Sequence, residues 1–197
     1  MLEYWFGREP LTAATLAARM GIWFGGADPA ERDREMAGRF GHLVQRALAG
    51  ELAAWADGPR QRLALILLLD QFTRHVFRGR ARAFEGDPAA VALALDGMQK
   101  GADAALGPAQ RLFFYMPLQH CESADVQEES VAAYRRLAAE APADLQPVLA
   151  GALDYAQRHR DIVARFGRFP HRNAALGRAD TPEERAWLDS GGERFGQ

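Results

Sequence analysis

Apolar residues recur along most of this chain at spacings of three and four, which place them on one face of a helix. Met36, Phe40 and Leu43 follow this spacing, and so do Val91 and Leu95. No segment alternates valine, isoleucine or threonine with polar residues in the manner of a strand. The pattern therefore predicts an all-α fold.

Helix starts are marked by a capping residue followed by proline, as in Asp87-Pro88 and Thr181-Pro182. Together with the apolar spacing, these marks predict helices over 11–20, 29–54, 60–77, 88–99, 108–119, 124–140, 143–166 and 182–189. The connections are short and contain glycine or proline, which favours antiparallel neighbours. We therefore expect one helical domain over residues 1–197, built from antiparallel helical hairpins.

The predicted helix at 60–77 changes character along its length. Leu63–Leu69 is apolar on every side, which is typical of a helix that is buried all round. Asp70, Arg74 and Arg78 then follow at four-residue spacing and share one face. Because an unpaired charge is costly to bury, these three side chains must pair inside the protein or line a cavity.

A second polar group follows the aromatic segment at 111–118, where Pro117 is expected to kink the helix or to end it early. His120 and Glu122 come just after it. An imidazole beside a carboxylate could act as acid and base or could ligate a metal. The alternative is structural: His120 caps the helix, and Glu122 pairs with one of the many arginines.

Residues 155–173 hold the densest polar cluster, with five arginines and two of the five histidines. Glycine and proline end the helix within this segment, so Arg168, His171 and Arg172 are expected on the turn that leaves it. A turn offers few acids nearby, and guanidinium groups bind carboxylates and phosphates through paired hydrogen bonds. These side chains indicate an anion pocket. In that case, removal of Arg172 should leave the stability nearly unchanged.

The helical part of the same segment has an alternative interpretation. Arg158, Asp161 and Arg165 fall on one helical face, so Asp161 could pair with its neighbouring arginines and tie this helix to the bundle. Such a network would be purely internal, and no ligand would be needed to balance its charge.

Composition narrows the classes of function. A net charge of -2 disfavours a general nucleic-acid or anionic-membrane binder, because both need a broad basic surface. The longest apolar run is too short to span a bilayer, and the first residues do not read as a secretion signal. We therefore expect a cytoplasmic protein that binds neither membrane nor nucleic acid.

The sequence also disfavours a resident metal or cofactor. Cys121 is the only cysteine, so an internal disulfide and a cysteine-based zinc site are excluded. No pair of histidines has the four-residue spacing that builds a metal site on one helix. The glycine-rich pattern of a phosphate-binding loop is absent as well. We expect no tightly bound transition metal and no cofactor.

Three segments together resemble a bacterial family known as domain of unknown function 924. They are LLLDQFTRHVFRGRARAF (67–84), RLFFYMPLQHCES (111–123) and YAQRHRDIVARFGRFPHRNAALGR (155–178). The resemblance implies a TPR-like array or bundle of helices and implies no activity. Two positions depart from the family pattern, since DQFTRH stands here in place of DQFPRN and HCE in place of HSE. The loss of the proline should ease the helix through Thr73.

Three hypotheses for function remain open. The favoured one is a binding module with a pocket for an anionic small molecule or a peptide carboxylate. The second is an enzyme in which His120 or His171 transfers protons, with Glu122 a further catalytic candidate, while arginines hold an anionic substrate. In the third, the ion network is purely internal. The residues expected at a site are Asp70, Arg74, Arg78, His120, Glu122, Arg165, Arg168, His171 and Arg172. The sequence does not indicate an oligomeric state.

Overall fold

The structure, a computed structural model, describes residues 1–8, 12–24 and 28–195. Within these ranges the chain is helical and contains no strand, which confirms the all-α prediction. Leu11, where the first predicted helix begins, lies outside the described residues. The α-helices are α1 (Leu2–Phe6), α2 (Ala13–Phe24), α3 (Pro29–Leu48), α4 (Pro59–Leu67), α5 (Thr73–Val76), α6 (Asp87–Gln99), α7 (Pro108–Gln119), α8 (Ala124–Ala139), α9 (Gln146–Phe166), α10 (Asn173–Leu176) and α11 (Pro182–Asp189). Short 3-10 helices lie at Ala53–Asp57, Ala81–Phe84, Asp103–Ala105 and Pro170–Arg172.

Local signals set most of the helix ends. The predicted bounds of α6, α7, α8 and α11 agree with the structure to within one residue. The helix predicted over 29–54 ends earlier, at Leu48, because Gly50 adopts a left-handed conformation with φ of 76°. The helix predicted from 143 begins at Gln146. That start places Pro147 in the first turn, where its missing N–H is not needed.

One long helical segment runs through the centre of the protein. It consists of α4, a π-helical turn at Leu68–Phe72 that we call the π segment, and α5. The threonine that replaces the family's proline sits directly after the π segment, and its hydroxyl donates to the carbonyl of Leu69 at 2.9 Å. Residues 62–75 are all buried, which confirms that the apolar part of this helix is enclosed on every side.

The remaining long helices pack around this segment. Helix α3 packs on the π segment and α5, helices α6 and α7 pack on α4, and α8 packs between α7 and α9. Two tryptophans anchor the core: the indole Nε1 of Trp23 donates to the carbonyl of Trp5 at 2.9 Å, and both rings contact Phe113. None of the helices in the described ranges is long and apolar enough to cross a membrane. The TPR-like arrangement and the single-domain organisation stay predictions.

Gly86 brings the start of α6 against the π segment. A Cβ at this position would clash with the backbone carbonyl of Leu69, so only glycine allows the two backbones to approach this closely. The next residue, Asp87, begins α6 and thereby reaches Arg74 on α5. The close approach therefore positions a charged pair at the end of the central helix.

Replacement of Gly86 by alanine is expected to lower the free energy of unfolding by about 1–3 kcal/mol, because an added methyl group forces two backbones apart. Gly38 in α3 is the matched control, since a Cβ there meets no atom within 4 Å. Gly38→Ala should raise the stability by about 0.5–1 kcal/mol through helix propensity. Urea denaturation of both variants measures the difference, and equal stabilities would contradict the close approach.

Candidate functional site

A pocket of about 720 Å³ lies between α2, the central helical segment, α7, α9 and the chain that follows α11. This volume is in the range of small-molecule sites in proteins. One wall is polar and includes Gln71, Arg74, Gln119, His120, His171 and Arg172. The lining also includes three large apolar side chains that are exposed at the mouth: Met20, Phe24 and Tyr155.

The polar wall is built around a buried carboxylate and an imidazole. Asp70 lies in the π segment with no exposure to solvent, and its Oδ1 is 2.6 Å from Nδ1 of His120, the C-cap residue of α7. An ionised carboxylate only accepts hydrogen bonds, so Nδ1 of His120 carries the proton and Nε2 is left with a free lone pair. The second oxygen of Asp70 accepts from the side-chain amide of Gln71.

Burial and neighbouring charges fix the protonation of this pair. Burial opposes ionisation of Asp70, but His120 and Arg74 outweigh it and hold the pKa of that carboxyl below its ordinary value. Burial also lowers the pKa of His120, and the attraction of Asp70 offsets only part of this effect. The pair at neutral pH is therefore a carboxylate beside a neutral imidazole.

Three further histidines line the same pocket, namely His75, His159 and His171, and burial lowers the pKa of each. Nδ1 of His159 donates to the carbonyl of Tyr155 at 2.8 Å, and burial holds the pKa of His159 well below its ordinary value. Its ring stacks on Phe195, with 3.6 Å between the centroids. Burial and the charge of Arg172 lower the pKa of His171 to about 3. These imidazoles therefore bring no positive charge to the pocket.

Gln119 adds an acceptor whose orientation is fixed by its neighbours. The hydroxyl of Tyr134 donates to the carbonyl of Leu112 at 2.8 Å, so it can only accept from the Gln119 amide nitrogen at 2.9 Å. The amide oxygen then points away from Tyr134, and it is buried without a hydrogen-bond partner among the described residues. A buried acceptor of this kind is costly unless a ligand or water satisfies it.

The two buried arginines of the polar wall share acids with each other. Arg74 donates to both carboxylate oxygens of Asp87, at 2.8 and 3.0 Å, and also lies 3.2 Å from Asp70. Arg172 donates to Asp87 at 3.3 Å and to the carbonyl of His120 at 3.0 Å. Two arginines thus face two carboxylates, and this part of the wall carries little net charge.

The structure brings some predicted site residues together and separates others. Arg74, Arg78, His120, His171 and Arg172 line the pocket, and Asp70 lies directly behind His120. Glu122, Arg165 and Arg168 are not among the lining residues.

Partners in other elements occupy the separated residues. Glu122 accepts from the backbone N–H of Phe169 at 2.8 Å and from Arg178 at 2.6 and 2.9 Å. Two acids of α11 pair with arginines: Glu183 pairs with Arg165 at the end of α9, and Glu184 pairs with Arg168 in the turn after it.

The predicted pairing of Asp161 with Arg158 and Arg165 on α9 is wrong. Arg158 pairs with Asp154, one turn before it, and with Glu193 rather than with Asp161. Asp161 instead pairs with Arg160, its immediate neighbour. Arg158 reaches Glu193 in the chain after α11, and helical spacing along α9 cannot predict such a contact.

Sequence reasoning missed His159, Gln71, Gln119 and Asp87 as parts of the site. Both glutamines adjoin predicted residues, and this adjacency was a usable signal. The sequence around Asp87 indicated only a helix start, and the position of His159 on its helix indicated only a residue that faces the core. Within the described ranges, no three His, Cys, Asp or Glu side chains are grouped so that they could hold a metal ion.

Comparisons with known proteins support the fold and do not identify an activity. A family model described as bacterial protein of unknown function (DUF924) matches residues 1–192. A solved structure of a protein of unknown function, ATU0120 from Agrobacterium tumefaciens, is similar, with 37% sequence identity and a TM-score of 0.73. The alignment covers 91% of this chain and 99% of that one. No curated protein sequence matches the chain significantly.

Proposed function

This chain belongs to the DUF924 family of bacterial proteins of unknown function, and from its own side chains we propose that the pocket is an enzyme active site in which His120 is the general base. The observation that carries the proposal is the hydrogen bond from His120, which lines the pocket, to the fully buried Asp70 behind it. A carboxylate behind an imidazole is the arrangement that prepares histidine to remove a proton from a bound molecule.

Each member of the pair has a distinct role in this proposal. Asp70 holds His120 in the tautomer whose Nε2 is free, and it stabilises the imidazolium that forms when Nε2 takes a proton. Burial keeps the pKa of His120 below its ordinary value, so the base is unprotonated at neutral pH. Gln71 and Arg74 hold Asp70 through its side-chain oxygens and are positioning residues.

The reaction we propose is a direct proton transfer, with the bound molecule or a water as the proton donor. No serine, threonine or cysteine is among the lining residues in the described part of the chain, so a covalent intermediate on these groups has no support. Cys121 is not a lining residue, and burial raises the pKa of its thiol, which disfavours the reactive thiolate.

The arginines support the enzyme hypothesis better than the anion-binding one. Every arginine expected at the site from the sequence has an acid partner within 4.0 Å, and the lining histidines are neutral. An anion would have to displace a carboxylate from these arginines. The internal-network hypothesis accounts for Glu122, Arg165 and Arg168, which lie away from the pocket, but it leaves the free Nε2 of His120 unexplained.

We expect His120→Gln to slow turnover by about a hundredfold or more, the usual loss when a general base is removed. The purified protein is incubated with a bacterial small-molecule extract, and mass spectrometry follows which compounds disappear. His42→Gln is the control, because His42 is exposed on α3 and lies outside the pocket lining. The rate with native protein should also fall on acidification only below about pH 6.5, since the pKa of His120 is lowered.

Two outcomes contradict this proposal. One is equal consumption of a compound by the native protein and by His120→Gln. The other is an extract in which the native protein consumes nothing, because an active site of this kind must transform some small molecule.

A further inference from the structure

Large apolar side chains that are exposed to water gather at this pocket, beside the exposed charged residues Arg78 and Asp154. In the described part of the chain, three large hydrophobic side chains are exposed: Met20 at 40%, Phe24 at 57% and Tyr155 at 50%. All three line this one pocket. Exposed apolar side chains that gather at a single concave site favour a ligand with an apolar body.

The polar side chains of the pocket present hydrogen-bond acceptors. The tautomers of His120 and His159 are fixed by their Nδ1 contacts, so both have a free lone pair on Nε2. Their ring centroids are 5.8 Å apart. The buried amide oxygen of Gln119 is a third acceptor in the pocket, and among the described residues it has no partner. A ligand that satisfies these atoms must bring hydrogen-bond donors.

We infer that the substrate is an uncharged molecule with an apolar body, aromatic or alkyl, and a hydrogen-bond donor such as a hydroxyl group at its polar end. The apolar body contacts Met20, Phe24 and Tyr155, and the donor faces the acceptors of the polar wall. The inference rests on the proposed function in one respect: the donated hydrogen is the one that Nε2 of His120 accepts.

Arg32 is the feature that favours a different substrate class. It lines the pocket, is partly buried, and has no acid partner within 4.0 Å among the described residues. A substrate carboxylate could pair with it. The experiment therefore compares a donor, an anion and a molecule with neither group, all on the same ring system.

The probes are 2-naphthol, 2-naphthoate and naphthalene, and calorimetry or tryptophan fluorescence measures the affinity of each. We expect 2-naphthol to bind about tenfold or more tightly than naphthalene, because only it satisfies a buried acceptor. The affinity of 2-naphthoate should not exceed that of naphthalene. Tightest binding of 2-naphthoate would overturn the inference in favour of an anionic substrate, and equal binding of 2-naphthol and naphthalene would also overturn it.

Phe24→Ala and Tyr155→Ala locate the binding. Both side chains are half exposed, so these variants keep the buried core intact. Each should weaken all three probes by a similar factor and leave their order unchanged. Unchanged affinity of 2-naphthol in both variants would show that the probe binds elsewhere and would overturn the inference.

The two proposals can fail separately. Tightest binding of 2-naphthoate leaves the role of His120 intact if His120→Gln still loses turnover. Conversely, unchanged turnover in His120→Gln removes the base and leaves the order of probe affinities as an independent result.

Discussion

Replacement of Asp70 by asparagine is expected to lower the free energy of unfolding by about 3–5 kcal/mol, the usual cost of breaking a buried ion pair. Asp70 is the carboxylate shared by Arg74 and His120, and without it two buried arginines face only Asp87. The cation of Arg74 would then remain in a desolvated position with half of its compensating charge. Urea denaturation at pH 7 measures the loss.

The control for this prediction is Asp161→Asn. Asp161 is exposed on α9 and pairs with Arg160 at the surface, so its loss should cost less than about 1 kcal/mol. If the two variants have similar stabilities, Asp70 does not balance a buried charge and the electrostatic account of the polar wall is wrong.

The same substitution has a pH signature with a definite sign. The folded pKa of Asp70 is lowered, so its contribution is fully present above the unfolded value of about 3.9 and is lost as the pH falls through the folded pKa. The stability difference between native protein and Asp70→Asn should therefore shrink below about pH 4. A difference that does not change with pH would indicate lost packing instead of lost charge.

Arg172→Ala is expected to cost about 3–5 kcal/mol as well. Its side chain is 5% exposed, and its guanidinium lies between the rings of Phe84 and Phe169, 4.8 and 4.5 Å from their centroids. Burial and the nearby Arg74 lower the pKa of Arg172 to about 10, so it is still charged at neutral pH. Removal of this cation leaves Asp87 with one arginine and empties the space between two rings.

Arg165→Ala is the matched control, because Arg165 pairs with Glu183 at the surface and both side chains are more than half exposed. Its loss should cost less than about 1 kcal/mol. Melting curves of the two alanine variants, with and without phosphate, give the comparison. A stable Arg172→Ala that loses a phosphate response present in the native protein would restore the anion-pocket hypothesis.

The sequence was sufficient for the all-α class and for most helix starts, because helix starts depend on neighbouring residues. Thr181-Pro182 gives α11 its start, since the threonine hydroxyl accepts from the N–H of Glu184 and the proline needs no donor. Burial of the central helix was also predictable from its composition. The π segment was not, because it depends on how the helix meets α3 and α6.

The candidate site could be predicted only as a set of residues. Asp70 and His120 were both singled out, but fifty positions separate them and no periodic pattern describes their contact. The acidic partners of the arginines were harder still to predict from the sequence. Asp87 and Glu184 lie in helices whose start signals account fully for an acid, so nothing in the sequence marked them as counter-ions for a distant turn.

The π segment has a consequence for the phase of the central helix. In a regular α-helix each residue advances the chain by roughly 100°. A π turn contains an additional residue, so the side chains after it are offset in angle from where an uninterrupted helix would place them. Arg74 reaches Asp87 across this offset, while the apolar residues before it stay in the core. A one-residue deletion within Leu68–Phe72 could therefore restore regular helical geometry and still rotate the charged face out of alignment. The geometry of the site thus depends on the number of residues in this helix as well as on their identity.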